Sequence, residues 1–176
     1  MEALAAIHRR RSVKLFASEP VPLDALEQLL EAAYDAPSGA NYQHCQFVVV
    51  TEREVLDSLG ETHPHCAWLK SAQAAIAVLS DPTRSRYWLE DCCVAVQNIW
   101  IAATALGLGM AWAAMFQSDN PEETARREGL VREAVGIPAK LRVPVVLGLG
   151  LPAAEPGERK RPLLAELVHW GHYGKG

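Results

Sequence analysis

The chain has 176 residues, 49% of them hydrophobic and 22% charged, with a formal net charge of −4. That composition supports a sizeable core in one domain over 1–176 and excludes global disorder. The mild acidity argues against a general nucleic-acid or membrane-surface binder.

In chain order, Glu2 to Ile7 reads as a short helix running into His-Arg-Arg-Arg-Ser-Val-Lys, residues 8–14. Four cations around Ser12 repel one another, so a helix end, an acidic partner or a bound anion must compensate. Val21-Pro22 opens a second helix, with Leu23, Leu26, Leu29, Leu30 and Ala33 at helical spacing. It should stop near Asp35, because Pro37 disfavours helix at Ala36. A loop, PSGANYQ, follows.

Phe47 to Thr51 is β-branched and short, a buried strand, and Glu52 to Gly60 a helix. The next segment, His63-Pro64-His65-Cys66, reads as an exposed loop; its two histidines lack a good third metal ligand. Ala74 to Leu79 is a second buried strand. A long helix from about Tyr87 to Leu106, roughly 30 Å at 1.5 Å per residue, is apolar on nearly every side. Such a helix needs cover all round, which a domain of this size hardly supplies, so a subunit interface is expected. It also carries Gln97, Asn98 and Thr104 and is too short in apolar residues to span a bilayer.

Met110 to Phe116 is a third strand. Asn120-Pro121-Glu122-Glu123 is a strong helix start, and that helix ends near Gly136. Val143 to Leu151 is a fourth strand, with Pro144 limiting its hydrogen bonding. The tail ELVHWGHYG is semi-apolar and should dock on something. Helices thus alternate with about four buried strands, a layered arrangement.

Nucleotide loops are missing: Gly107-Leu108-Gly109 follows a helix, and Gly148-Leu149-Gly150 is followed by Pro152 and Pro156. Ser38 sits in P-S-G rather than in G-x-S-x-G. Cys45, Cys66, Cys92 and Cys93 form no CxxC pair and read as small buried hydrophobes in a reducing cytoplasm. A second basic group, Arg159-Lys160-Arg161, lies in a Pro- and Gly-bounded loop. Two separated clusters in an acidic chain favour an anion pocket, in which arginine forks make bidentate contacts.

Four blocks, in order, resemble the nitroreductase family of FMN-dependent oxidoreductases: RRSVKLF, APSGANYQHCQFVVV, the Ala-rich helix with LGLG and MAWAAMF, and VPVVLGLGLP with ERKRPLLAELVHWGHYG. The resemblance implies an α+β fold, a three-layer α/β/α sandwich on a mixed sheet of four to five strands, in an intertwined homodimer. It implies that Arg10, Arg11 and Ser12 hold FMN at the phosphate and ribityl end, with Lys14 at the pyrimidine edge. Pro37, Ser38, Gly39 and Asn41 match the loop a neighbouring subunit closes over the ring. Ala114 and Met115 match the segment whose backbone lies against the flavin, and Arg159 and Arg161 the late phosphate ligands. No side-chain acid, base, nucleophile or metal is then required, since FMN carries the chemistry. NAD(P)H and a small acceptor, a nitroaromatic, a quinone or a related conjugated compound, would take turns in a ping-pong scheme in the cytoplasm. Dehalogenation, flavin cleavage or non-catalytic flavin binding are the alternatives.

The chain departs from the family at His44-Cys45 for Pro-Trp, Ala114 for Gly, Leu151 for Tyr and Lys14 for Arg. It also lacks room for the inserted helical segment of larger relatives, which implies a comparatively open pocket.

Overall fold

A computed structural model describes residues 2–174. Five helices and four strands alternate along the chain: α1 (Ala3–Arg9), α2 (Leu23–Tyr34), β1 (Gln46–Val50), α3 (Arg53–Leu59), β2 (Ala74–Ser80), α4 (Trp88–Ala105), β3 (Gly109–Ala114), α5 (Pro121–Val135) and β4 (Arg142–Gly150). The strands form one sheet in the order β1-β2-β4-β3.

The two central strands are apolar at nearly every position because both of their faces are covered. Ile76 and Val78 of β2 and Val145, Leu147 and Leu149 of β4 point to one side, against Leu26 and Leu29 of α2 and Val96 and Ile99 of α4. Ala75, Ala77 and Val146 point to the other, against Leu56 of α3 and Val131 of α5. Alternation with period two therefore sorts the strands into two cores, and the result is three layers.

The sheet differs from the expected mixed one. All three strand pairings are antiparallel. The parallel component is confined to an isolated bridge, Ser12 to Met110, where Val13 N–H donates to Met110 O at 3.0 Å. Pro144 lies in the interior strand β4, at a break in its pairing with β2 between Val78 and Ser80. A proline lacks the donor a continuous ladder needs, so the break falls where the sequence requires it. Pro144 O instead accepts from both Met115 N–H and Phe116 N–H.

His63-Pro64-His65-Cys66 is a second departure. The segment opens a tight 3₁₀ run, Pro64–Ser71, with His63 as its buried capping residue. His63 Nε2 lies 2.6 Å from Cys66 Sγ, so these two residues are turned inward while Pro64 and His65 are exposed as expected.

Helix α4 packs against α1, α2 and the sheet, and one stripe of it is left uncovered. Glu90, Val94 and Gln97 form an exposed stripe. Among the described residues, the tail beyond β4 has none buried and exposes Leu163, Leu164, Leu167, Trp170 and Tyr173, each by more than half. Among its described residues it docks on the rest of the chain through residues 151–153, which pair with the strap at Leu15–Ala17, and through its basic loop. Among the described residues, no helix is long and apolar enough to cross a membrane.

The sheet bears on the 3₁₀ run at Gly148, where an added Cβ would lie 2.5 Å from the Trp68 ring and 2.7 Å from Leu69. Gly148→Ala should lower stability by about 1–3 kcal/mol, the usual cost of overpacking. Thermal unfolding checks this, and an unchanged midpoint would show that the Trp68 contact is slack.

Candidate functional site

The two basic segments meet. Arg159 Nη2 donates to Arg10 O at 2.8 Å across 149 residues of sequence, and Arg11 Nε donates to Gly157 O at 3.2 Å. The meeting follows from the topology. The strap after α1 bridges to Met110 at the start of β3, and Phe16 pairs with Pro152 just beyond β4. The chain entering the fold and the chain leaving β4 therefore run side by side.

Within this cluster the arginines do different work. Arg11 is turned onto the backbone: its Nη1 donates to His8 O, Arg9 O and Arg10 O at 2.8, 3.3 and 2.9 Å. These are carbonyls at the end of α1 that the helix leaves without partners. Arg10 instead lies over the Trp100 ring, 4.5 Å from its centroid, while Trp100 Nε1 donates to Arg11 O. Burial, then the charges of Arg159 and Arg11, push the Arg10 guanidinium below its ordinary value. Among the described residues, no carboxylate forms an ion pair with Arg10, Arg11, Lys14, Arg159 or Arg161. Ser12 and Lys14 are exposed on the same strap, and Arg161 is exposed on the tail. A cavity of about 470 Å³ opens beside the cluster, between Arg9, Arg11, Thr104, Leu108 and Pro156.

The loop residues lie elsewhere. Pro37 and Ser38 line a small cavity of about 70 Å³ with Cys45, Phe47 and Asp91. Gly39 N–H donates to Asp91 Oδ1 at 2.8 Å. Asp91 is in the first turn of α4, whereas Trp100 beneath Arg10 is nine residues on, which is about 14 Å along the axis. Within one chain, the loop and the arginine cluster do not come together.

The loop is held in a costly shape. Ala40, Asn41 and Gln43 all have positive φ, at 50°, 56° and 47°. Left-handed backbone costs about 1–2 kcal/mol at a residue with a side chain, Asn being the most tolerant. Gln43 N–H donates to Ser38 Oγ at 2.9 Å and Gln43 Nε2 to Asn41 Oδ1 at 3.1 Å, which fixes the turn from inside. At Gly39 any Cβ would meet the Tyr87 ring at 2.5 Å.

Asp91 is the anchor. Besides Gly39, its Oδ2 lies 2.7 Å from His44 Nε2 and accepts from Ser85 Oγ at 3.3 Å; His44 Nδ1 lies 2.9 Å from Ser80 Oγ. With the imidazole proton on Nε2, Nδ1 accepts from the Ser80 hydroxyl and every member is satisfied. Ser80 is fully buried, so the set is a clamp and not a hydrolytic relay. His44 thus ties the loop to α4 and β2. Asp91 was open to detection: it is four residues before Ala95 and eight before Ile99, on the buried stripe of an apolar helix.

Ala114 ends β3 and Met115 follows it. Met115 is buried in the core beside Val131, its N–H committed to Pro144 O. Ala114 O accepts from Arg127 Nη1 at 3.1 Å. Ala114 O and Met115 N–H are therefore already engaged.

Comparison with known proteins adds the following. A family model described as "Nitroreductase family" matches residues 7–63 and 55–151. A relative from Methanothermobacter thermautotrophicus, provisionally named an NADH dehydrogenase/NAD(P)H nitroreductase, is 36% identical over 162 residues, 90% of this chain and 82% of its own. A crystal structure from Bacteroides thetaiotaomicron under the same provisional name superposes with a TM-score of 0.88 at 32% identity, over 97% of this chain and 98% of that one. A Desulfovibrio desulfuricans protein, provisionally named a nitroreductase and solved with FMN, gives 0.81 at 30%, over 96% and 95%.

Asp91→Ala leaves the Gly39 N–H and the His44 ring without their acceptor. The expected loss is about 1–3 kcal/mol for each group stranded, with faster amide exchange at residues 38–43. Unaltered exchange in that loop would mean that Asp91 does not anchor it.

Proposed function

Because the chain belongs to the nitroreductase family, we propose that it is an FMN-dependent oxidoreductase that takes electrons from NAD(P)H and delivers them to a small conjugated acceptor. Nitroaromatics and quinones are the acceptor class to test first. The observation that carries this reading is the convergence of Arg10, Arg11 and Arg159, none of which forms an ion pair with an acid among the described residues.

The donor set fits a phosphomonoester. Its near-double charge relieves a repulsion the chain leaves in place, and guanidinium forks suit its oxygens. In this reading Arg10 and Arg159 bind the phosphate, the Ser12 hydroxyl donates beside them, and Arg161 closes from the tail. Arg11 acts one step removed, holding the strap and the basic loop in register. Lys14 supplies a positive charge toward the pyrimidine edge, where charge gathers when a flavin is reduced. Two-electron chemistry is what FMN supplies when bound. The chain's contribution is binding, orientation and a fixed field. The exchange of donor and acceptor in one place gives a ping-pong order.

The loop Pro37, Ser38, Gly39 and Asn41 serves a flavin held by a second copy. Its distance from Arg10 along α4 supports this, as do the exposed stripe of α4 and the apolar tail. A homodimer with two composite sites is the arrangement proposed. Ala114 and Met115 enter it as wall, since Ala114 O and Met115 N–H are engaged elsewhere.

Anaerobic titration of the yellow protein with NADH and NADPH tests the activity. Bleaching, and recovery of colour on adding a nitroaromatic or a quinone, is the expected result; bound flavin that neither nucleotide reduces would leave a non-catalytic flavin binder. For the site itself, Arg10→Ala should weaken FMN binding by about 10- to 100-fold, the equivalent of one charge-assisted hydrogen bond. Fluorescence titration measures it, and unchanged affinity would remove Arg10 from the site.

A further inference from the structure

Beside the Asp91 clamp, two sulfurs meet. Cys45 Sγ and Cys92 Sγ lie 3.6 Å apart, joining the lead-in to β1 with the first turns of α4. All four cysteines are free, but only this pair brings two of them within reach.

The two members of the pair are unequal. Cys45 is half-buried and opens on the small cavity lined by Pro37, Ser38 and Gln43, so a small solute can approach it. Cys92 is buried beneath it. The hydrogen bond from the Cys92 thiol holds Cys45 below the ordinary thiol range. The same bond, followed by burial, pushes Cys92 up. Cys45 is therefore the sulfur a small solute meets first, and Cys92 lies within reach beneath it. The other two cysteines differ. Cys66 is fully buried against His63, and burial raises it. Burial and then the charge of Glu90 raise Cys93.

We propose that Cys45 and Cys92 form a hydroperoxide-sensitive dithiol, with Cys45 as the attacking sulfur and Cys92 as the resolving one. The Cys45 thiolate attacks the O–O bond of the hydroperoxide. An S–O bond forms, the O–O bond breaks, and water or an alcohol leaves once its oxygen takes a proton. Cys45 is oxidised to the sulfenic acid and the peroxide is reduced. The Cys45 charge that held the Cys92 proton is then gone. Cys92 sulfur attacks the sulfenic sulfur, an S–S bond forms, the S–O bond breaks, and hydroxide leaves with the Cys92 proton as water. Bond formation draws the sulfurs from 3.6 Å to about 2.05 Å. Cys45 follows His44 and Cys92 follows Asp91, so the new bond runs beside the hydrogen bond that anchors the Gly39 loop. Oxidation bolts that anchor, and a thiol reductant releases it.

The test uses the full chain as purified, exposed to a small excess of hydrogen peroxide, then denatured, alkylated and mapped. Reactive thiols should fall from four to two, with a mass loss of about 2 Da for the two hydrogens removed. The linked peptides should contain Cys45 and Cys92, and dithiothreitol should restore all four thiols. In Cys92→Ser, dimedone should label Cys45. Four thiols surviving peroxide, or dimedone labelling Cys66 or Cys93 ahead of Cys45, would overturn the proposal. If Cys92→Ser does not fold, the thiol count and peptide map of the unaltered chain decide alone. None of these readouts uses nucleotide reduction or turnover, so the result stands apart from the proposed function.

Discussion

Repulsion among guanidinium groups is the constraint on which the arrangement turns. Arg10, Arg11 and Arg159 are gathered by backbone hydrogen bonds, not by acids. A fold that ties cations together with carbonyls meets part of their hydrogen-bonding demand but leaves their charge in place. The chain accepts that cost where its first and last segments cross. Trp100 lessens it locally by offering Arg10 a π-face. A dianionic phosphate is the ligand chemistry that removes it most fully.

The rest of the architecture serves to hold that crossing. β4 is central, so the segment leaving it emerges from the most buried part of the sheet, and the strap before α2 crosses the same end. At the other end of α4, the Asp91–His44–Ser80 clamp and the Gly39 close approach hold a loop with three left-handed residues. Strain of that kind persists where surrounding structure over-determines it, as it does in binding loops. One helix carries both features about 14 Å apart. A single copy therefore keeps the two features apart, and the proposed homodimer is the arrangement that would bring them together.

Much of this was legible in the sequence. The buried strands and amphipathic helices follow from periodicity, and the element boundaries fall within a few residues of Pro22, Pro121 and Gly136. Clustered cations in an acidic chain marked Arg10 and Arg159. The division of labour between Arg10 and Arg11 was not legible, because adjacent arginines look alike until the strap's path sends one side chain onto the backbone. His63 read as exposed because a His-Pro-His run is polar; its burial depends on Cys66, a partner three residues away in a 3₁₀ turn. The sheet's antiparallel pairing depends on connections that no local pattern encodes. His44 read only as a departure from the family's Pro-Trp, yet it belongs to a polar clamp whose other members lie 36 and 47 residues away.

The most direct measurement of the central claim compares FMN with riboflavin, which shares the ring and lacks the phosphate, on the same apoprotein by calorimetric titration. If the arginine cluster exists to be neutralised by phosphate, FMN should bind about 100-fold tighter or more, since two charge-assisted contacts are at stake. Arg159→Ala should erase most of that difference. Equal affinity for the two flavins, with the cluster intact, would contradict the account.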